Sequence, residues 1–485
     1  EVLSGTITIT AGAATQLTIT TPPSATAPSG VAFAQQPTIQ LRDVSGNAVS
    51  QAGVVVTAPI ATGGGTLGGT ATASTSATGL ATFTNLSITG TVGPRTLSFS
   101  ATGLGGVTST AIAITAGAAT QLTITTPPSA TAPSGLAFAQ QPTIQLRDVS
   151  RNAVSQAGVV VTAAIATGGG TLGGTATAST TASGLATFTN LSITGTVGPR
   201  TLSFSATGLG SVTSSPITIT AGAATQLTIT TPPSATAQNG VPFAQQPTIQ
   251  LRDVSGNVVS QAGVVVAAAI ATGGGTLGGT ATATTTASGL ATFTNLAITG
   301  TIGDRTLRFT ATGLTEVLSG TITITAGAAT QLTITTPPSA TAPSGVAFTQ
   351  QPAIQLRDVS GNAVSQAGVV VTAAIATGGG TLGGTATATT TASGVATFTN
   401  LSITGTIGLR TLSFSATGLG SVTSAAIDIT AGAATQLTIT TQPAAATTAQ
   451  SGVAFAPQPA IQLRDVSGNA VSQAGVVVDA AVAAG

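Results

Sequence analysis

The sequence contains no cysteine, histidine, methionine, tryptophan, tyrosine or lysine, and all eleven of its basic residues are arginine. Each absence closes a class of function. Without cysteine there are no disulfides, and without lysine no lysine–asparagine cross-links. Zinc sites built on histidine or cysteine are ruled out, as are nucleophilic triads that need a histidine, cysteine or lysine. No apolar run approaches the ~18 residues of a membrane-spanning helix, and no secretory leader pattern is visible. The reading is therefore non-catalytic, with no cofactor and no membrane insertion in this segment.

Charge is equally scarce. Only 4% of the 485 residues are Asp, Glu, Lys or Arg, and the formal net charge is +1, where an average soluble protein carries about 25% charged residues. Binding to nucleic acid draws on clustered cations, and each repeat carries about two scattered arginines, so nucleic acid is excluded as a partner. A nearly neutral surface lacks the repulsion that keeps molecules apart. Self-association through lateral contacts or neighbouring repeats is the expected partnership.

What is present is a repeat. "AGAATQLTIT" begins at Ala11, Ala116, Ala221, Ala326 and Ala431, an interval of 105 residues in each case. The division is residues 1–10 as the last strand of a preceding repeat, whole repeats at 11–115, 116–220, 221–325 and 326–430, and residues 431–485 as the first half of another. That last fragment carries a two-residue insertion in "TTQPAAATTAQSG". The pattern predicts a window into a longer chain. A period of 105 exceeds the 20–50 residues of solenoid units and suits independent domains. Linkers of about three residues, "TAGAATQL", predict a stiff array rather than loosely tethered beads.

Within a repeat the apolar residues alternate: Leu17 and Ile19, Ile39 and Leu41, Leu97 and Phe99, Ile112 and Ile114. Period two is the strand signature, and Thr, Val and Ile are strand formers. Gly and Pro clusters separate the runs at the spacing of an all-β sandwich. The fold class expected is all-β: a tandem array of seven- or eight-stranded antiparallel sandwiches with Greek-key connections. Phe33, Phe83 and Phe99 are assigned to the core, because aromatics supply large buried area. Arg308, which takes a serine's place between Leu307 and Phe309, is expected to face water.

Three motifs suggest chemistry. "LRDVSGNAVSQAGVVV" (41–56) returns in every repeat. Its Asp43, Gly46 and Asn47 read as a turn, the aspartate bonding its own backbone and Gly46 and Asn47 tolerating φ > 0. The equivalents are Asp148 and Asn152, Asp253 and Asn257, Asp358 and Asn362, and Asp465 and Asn469. Calcium needs six to eight oxygens and several carboxylates, and each repeat supplies one regular acid, so no metal is assigned. "TGGGTLGGT" (62–70) lacks the lysine and helix of a phosphate loop and reads as a mobile connection or a bulged edge. "TNLS" at Asn85, Asn190 and Asn400 matches an N-x-S acceptor that Ala297 breaks in repeat three. Whether glycans are carried is left open.

The succession "AATQLTITTPPSATAPSGVAFAQQPTIQLRDVSGNAVSQAGVVVTA", "GLATFTNLSI" and "GPRTLSFSATG" resembles the bacterial immunoglobulin-like domains of surface adhesins, with invasin and intimin stalk domains the nearest type. The residues that carry the resemblance are Asp43, Gly46 and Asn47 of the turn, Val54 and Val56 of the next strand, Gly79 and Phe83 of "TGLATF", and Leu97 and Phe99. The resemblance implies an immunoglobulin-like sandwich on a bacterial cell surface or outside the cell, with a structural role as stalk or filament. Two rival functions are a cell-surface adhesin whose repeats or tip bind a host, surface or glycan ligand, and a spacer array of a larger secreted enzyme. The nine differences between repeats one and two, among them positions 31, 46, 59 and 106, are spread over the domain. Drift on a scaffold produces such a spread; selection on one binding loop would cluster it.

Overall fold

The structure, a computed structural model, describes residues 5–443 and 450–483. By contact the chain falls into two compact units, Glu1–Ala224 with Arg252–Val259, and Thr225–Leu251 with Ser260–Gly485. Each is all-β and holds more than one sandwich.

Repeat two, in the first unit, serves as the type. Its strands are β1 (Gln121–Thr126), β2 (Thr131–Pro133), β3 (Thr143–Arg147), β4 (Val160–Thr167), β5 (Thr171–Gly173), β6 (Thr177–Ser179), β7 (Leu185–Thr187), β8 (Ser192–Thr194), β9 (Gly198–Ser205), β10 (Val212–Thr213) and β11 (Ile217–Thr220). One sheet has the order β1-β3-β7 and the other β2-β11-β9-β4-β6, with β10 also on β9 and β5 paired to β8. The fold is an all-β sandwich, and one of its strand pairs departs from the expected antiparallel pattern. β2 pairs parallel to β11, Thr131 opposite Thr218, so the chain crosses between sheets before it turns into β3. Repeat four, in the second unit, has the same strands and pairings.

The alternation places the core. In β9, Leu202 and Phe204 are fully buried while Thr201 and Ser203 face outward. Phe188 and Phe204 meet at 5.4 Å between ring centres and 51° between planes, within the tilted geometries that aromatic pairs prefer. Arg308 is exposed between buried Leu307 and Phe309. A buried glutamine organises the turn before β7. Gln145 Nε2 donates to Leu146 O at 3.2 Å, Ser183 O at 3.1 Å and Gly184 O at 3.1 Å. Gly184 is left-handed (φ +77), and a Cβ there would lie 1.8 Å from Val154 O.

Repeat one differs at β4. Its equivalent is two short strands, Val55–Thr57 and Ile60–Thr62, because Pro59 stands where repeat two has Ala164. Proline has no N–H for the ladder. Residues 5–10, expected as a final strand, are exposed and form no strand. Such a strand takes its pairing from equivalents of β2 and β9, which precede it in a whole repeat. In the closing fragment, Gln436–Thr441 pairs with Ala460–Arg464, but Leu437, Ile439 and Phe455 are about half exposed. Residues 444–449 of this fragment's inserted stretch lie outside the described residues.

Candidate functional site: the joint between repeats

The loop after β3, residues 148–152, begins as a local turn. Arg151 N–H donates to Asp148 O at 2.9 Å, and Asp148 N–H to Asn152 O at 3.1 Å. Asn152 N–H donates to Asp148 Oδ1 at 2.8 Å. Position 151 requires a left-handed backbone: Gly46, Gly256, Gly361 and Gly468 have φ between 78° and 81°, and Arg151 follows at 65°. Of the two residues that tolerate φ > 0, Gly46 and Asn47, only the first takes it. The asparagine works through its amide.

The other carboxylate oxygen leaves the loop. Asp148 Oδ2 accepts the linker N–H of Gly117 at 2.8 Å and the Asn152 side chain at 2.8 Å. The same clamp recurs at Gly12–Asp43, Gly222–Asp253, Gly327–Asp358 and Gly432–Asp465, with distances of 2.8–3.0 Å. A small residue is needed on the linker: a Cβ at Gly117 would stand 2.5 Å from Ser29 O.

Asn152 then reaches the preceding repeat. Its Nδ2 donates to Gly90 O at 2.9 Å, and its Oδ1 accepts Val92 N–H at 2.8 Å. Ser29, also of the preceding repeat, holds Gly90 through its hydroxyl and meets the Ser150 hydroxyl at 3.2 Å. Asn257, Asn362 and Asn469 bridge in the same way to Gly195 and Val197, Gly300 and Ile302, and Gly405 and Ile407. Burial follows the bridging. Asn152, Asn257, Asn362 and Asn469 are 6–8% exposed, whereas Asn47, which has no such repeat before it here, is exposed.

The receiving side rests on a buried arginine. Arg95 donates from Nε to Gly64 O at 2.9 Å, from Nη1 to Pro94 O at 2.9 Å and from Nη2 to Thr91 O at 2.6 Å. The glycine-rich segment is therefore an ordered turn packed on a guanidinium, which differs from the mobile or bulged connection expected. A Cβ at Gly63 would meet Pro94 O at 2.4 Å and Arg95 Cδ at 2.5 Å. Arg200, Arg305 and Arg410 hold the same places and are 3–5% exposed. In repeat three Arg305 Nε is buried without a hydrogen-bond partner among the described residues.

The aspartates are held ionised. Hydrogen bonds from Asn47, Gly12 and the loop lower Asp43 to about 2. Burial pushes Asp358 up, but donors at Asn362, Gly327 and Asn239 outweigh it and bring that carboxyl to about 2 as well. Asp148, Asp253 and Asp465 are lowered by the same balance of burial against asparagine and linker donors. Among the described residues no three His, Cys, Asp or Glu side chains gather as a metal site. Asn85, Asn190 and Asn400 are exposed, each accepting a backbone N–H on its Oδ1 from Thr70, Thr175 or Thr385.

No family model matches the chain, and no curated protein matches it. Solved structures do. An Escherichia coli adhesin, FdeC, is 16% identical over 65% of this chain and 100% of its own, with a TM-score of 0.27. InvD of Yersinia pseudotuberculosis is 20% identical over 64% and 98%, with a TM-score of 0.24. The surface layer protein SbsC, domains 1–6, is 12% identical over 94% and 58%, with a TM-score of 0.23. At these values the likeness supports no conclusion about ligand or partner.

Sequence reasoning found the inserting loop and missed its receptor. Gly90 and Val92 act through backbone C=O and N–H groups that carry no side-chain signal. Arg95 did carry one. The arginine recurs at 105-residue intervals although the residue before it changes from Pro94 and Pro199 to Asp304 and Leu409.

Proposed function

We propose that the chain is a structural, non-catalytic stalk or filament segment on a bacterial surface or outside the cell, in which the joints are the working parts. One observation carries this reading. The charged residues that a nearly uncharged chain retains in every whole repeat include Arg95, Asp148 and their counterparts, and these brace the two sides of the joint, the Thr91 turn and the 148–152 loop, which Asn152 bridges. A binding module keeps such charged side chains on an open surface; here these recurring arginines and aspartates are buried at the joints. Neutral, Thr-rich outer faces favour lateral association of such segments. Small-angle scattering of the full chain tests the reading. An elongated particle of one narrow cross-section supports it, and a compact or broadly flexible particle contradicts it.

A further inference from the structure

One series of hydrogen bonds at each joint runs in a single direction. Arg95 Nη2 donates to the carbonyl of Thr91 at 2.6 Å. The same peptide group donates its N–H, at Val92, to Asn152 Oδ1 at 2.8 Å. The amide of Asn152 then donates to Asp148 Oδ2 at 2.8 Å. A buried cation in one repeat is thus connected to a buried anion in the next through two amide groups. Each amide accepts on the side of the cation and donates on the side of the anion.

The arrangement occurs four times. Arg200, the Thr196–Val197 peptide, Asn257 and Asp253 repeat it at 2.6, 2.9 and 2.8 Å. Arg305, Thr301–Ile302, Asn362 and Asp358 do so at 2.6, 3.1 and 2.9 Å. Arg410, Thr406–Ile407, Asn469 and Asp465 do so at 2.6, 3.0 and 2.8 Å. Hydrogen bonds in series polarise one another, and bonds to ionised groups are the stronger ones. An amide between a cation and an anion is polarised by both.

We propose that Arg95 and Asp148, and the three equivalent pairs, are coupled through this relay, so that the arginine of one repeat is a positioning residue for the loop of the next. The two charges need not touch. The arginine makes the Thr91–Val92 N–H a better donor, the asparagine amide follows, and the carboxylate is held more firmly against the Gly117 linker. Neighbouring repeats then gain a nearest-neighbour coupling of the kind that makes repeat arrays cooperative. The inference concerns the joints alone and stands whether or not the chain serves as a stalk.

The test uses the full chain in four forms: unchanged, Arg95→Gln, Asn152→Ala, and both together. NMR titration of the Asp148 carboxyl is the readout. The other charges near that loop, Arg147 and Arg151, are constant in all four. With Asn152 intact, Arg95→Gln raises the Asp148 pKa by about half a unit; in the Asn152→Ala background the same change leaves it unmoved. Equal shifts in the two backgrounds would show a through-space field instead of a relay and overturn the proposal, as would no shift in either. If Arg95→Gln unfolds repeat one, Asp148→Asn replaces it, with amide exchange at Val92 of the preceding repeat as readout. Exchange about threefold faster is expected, and unchanged exchange overturns the coupling.

Discussion

Position 151 is the one place where a non-glycine residue occupies the left-handed corner of the joint loop, at φ 65. Its Cβ costs about 1 kcal/mol there, and nothing in the loop offsets this, since Arg147 Nη1 reaches the position-151 carbonyl just as Arg42 reaches that of Gly46. Arg151→Gly is expected to stabilise repeat two by about 1 kcal/mol, measured by thermal unfolding; a neutral or destabilising result would show a contribution from the arginine head group. Asn239 is the opposite case. It replaces the serine at positions 29, 134 and 344, and its Nδ2 donates to Asp358 Oδ2 and to Ser360 Oγ at 2.9 Å. Gly327 N–H is therefore expected to exchange about fivefold more slowly than Gly117 N–H, the equivalent of ~1 kcal/mol. Asn239→Ser removes the difference; a persisting difference would place its cause elsewhere. The Asp, Gly and Asn of the turn were legible in the sequence because the turn closes on its own backbone. Gly90 and Val92 were not, because they belong to another repeat and contribute only main-chain atoms.

At the scale of elements, alternation made the strands legible, and proline and glycine decided their limits. Pro59 splits one strand of repeat one where Ala164 lets β4 run from Val160 to Thr167. The parallel β2–β11 pair was not legible. Each strand of it is three or four residues long, too short for a period to show direction. Gly184 marks the turn into β7 as a point of close approach, with Val154 O in the way of any side chain. Gly184→Ala combines a strained φ with a backbone clash and is expected to cost about 2–4 kcal/mol, read as a lower midpoint in denaturant. A cost below ~1 kcal/mol would mean that the 154 loop moves aside freely.

For the whole molecule, five of the ten acidic residues are the joint aspartates Asp43, Asp148, Asp253, Asp358 and Asp465, and all five carboxyls are lowered. An aspartate lowered in the folded chain stabilises it fully above the unfolded value of ~3.9. That contribution is lost as pH falls through the folded value, about 2 for Asp43 and Asp358. The midpoint of thermal unfolding is thus expected to hold steady from pH 7 to about 5 and to fall between about 4 and 2. A midpoint flat over the acid range would mean that the carboxylates contribute nothing to the joints. The most direct measurement is limited elastase digestion of the full chain at pH 7, with and without Asp148→Ala, Asp253→Ala, Asp358→Ala and Asp465→Ala together. If the carboxylates hold the "TAGAATQL" linkers, the unchanged chain resists cleavage there, and the variant is cut into a ladder of fragments about one 105-residue repeat apart. Equal resistance of the two chains, or linker cleavage of the unchanged one, would contradict the account.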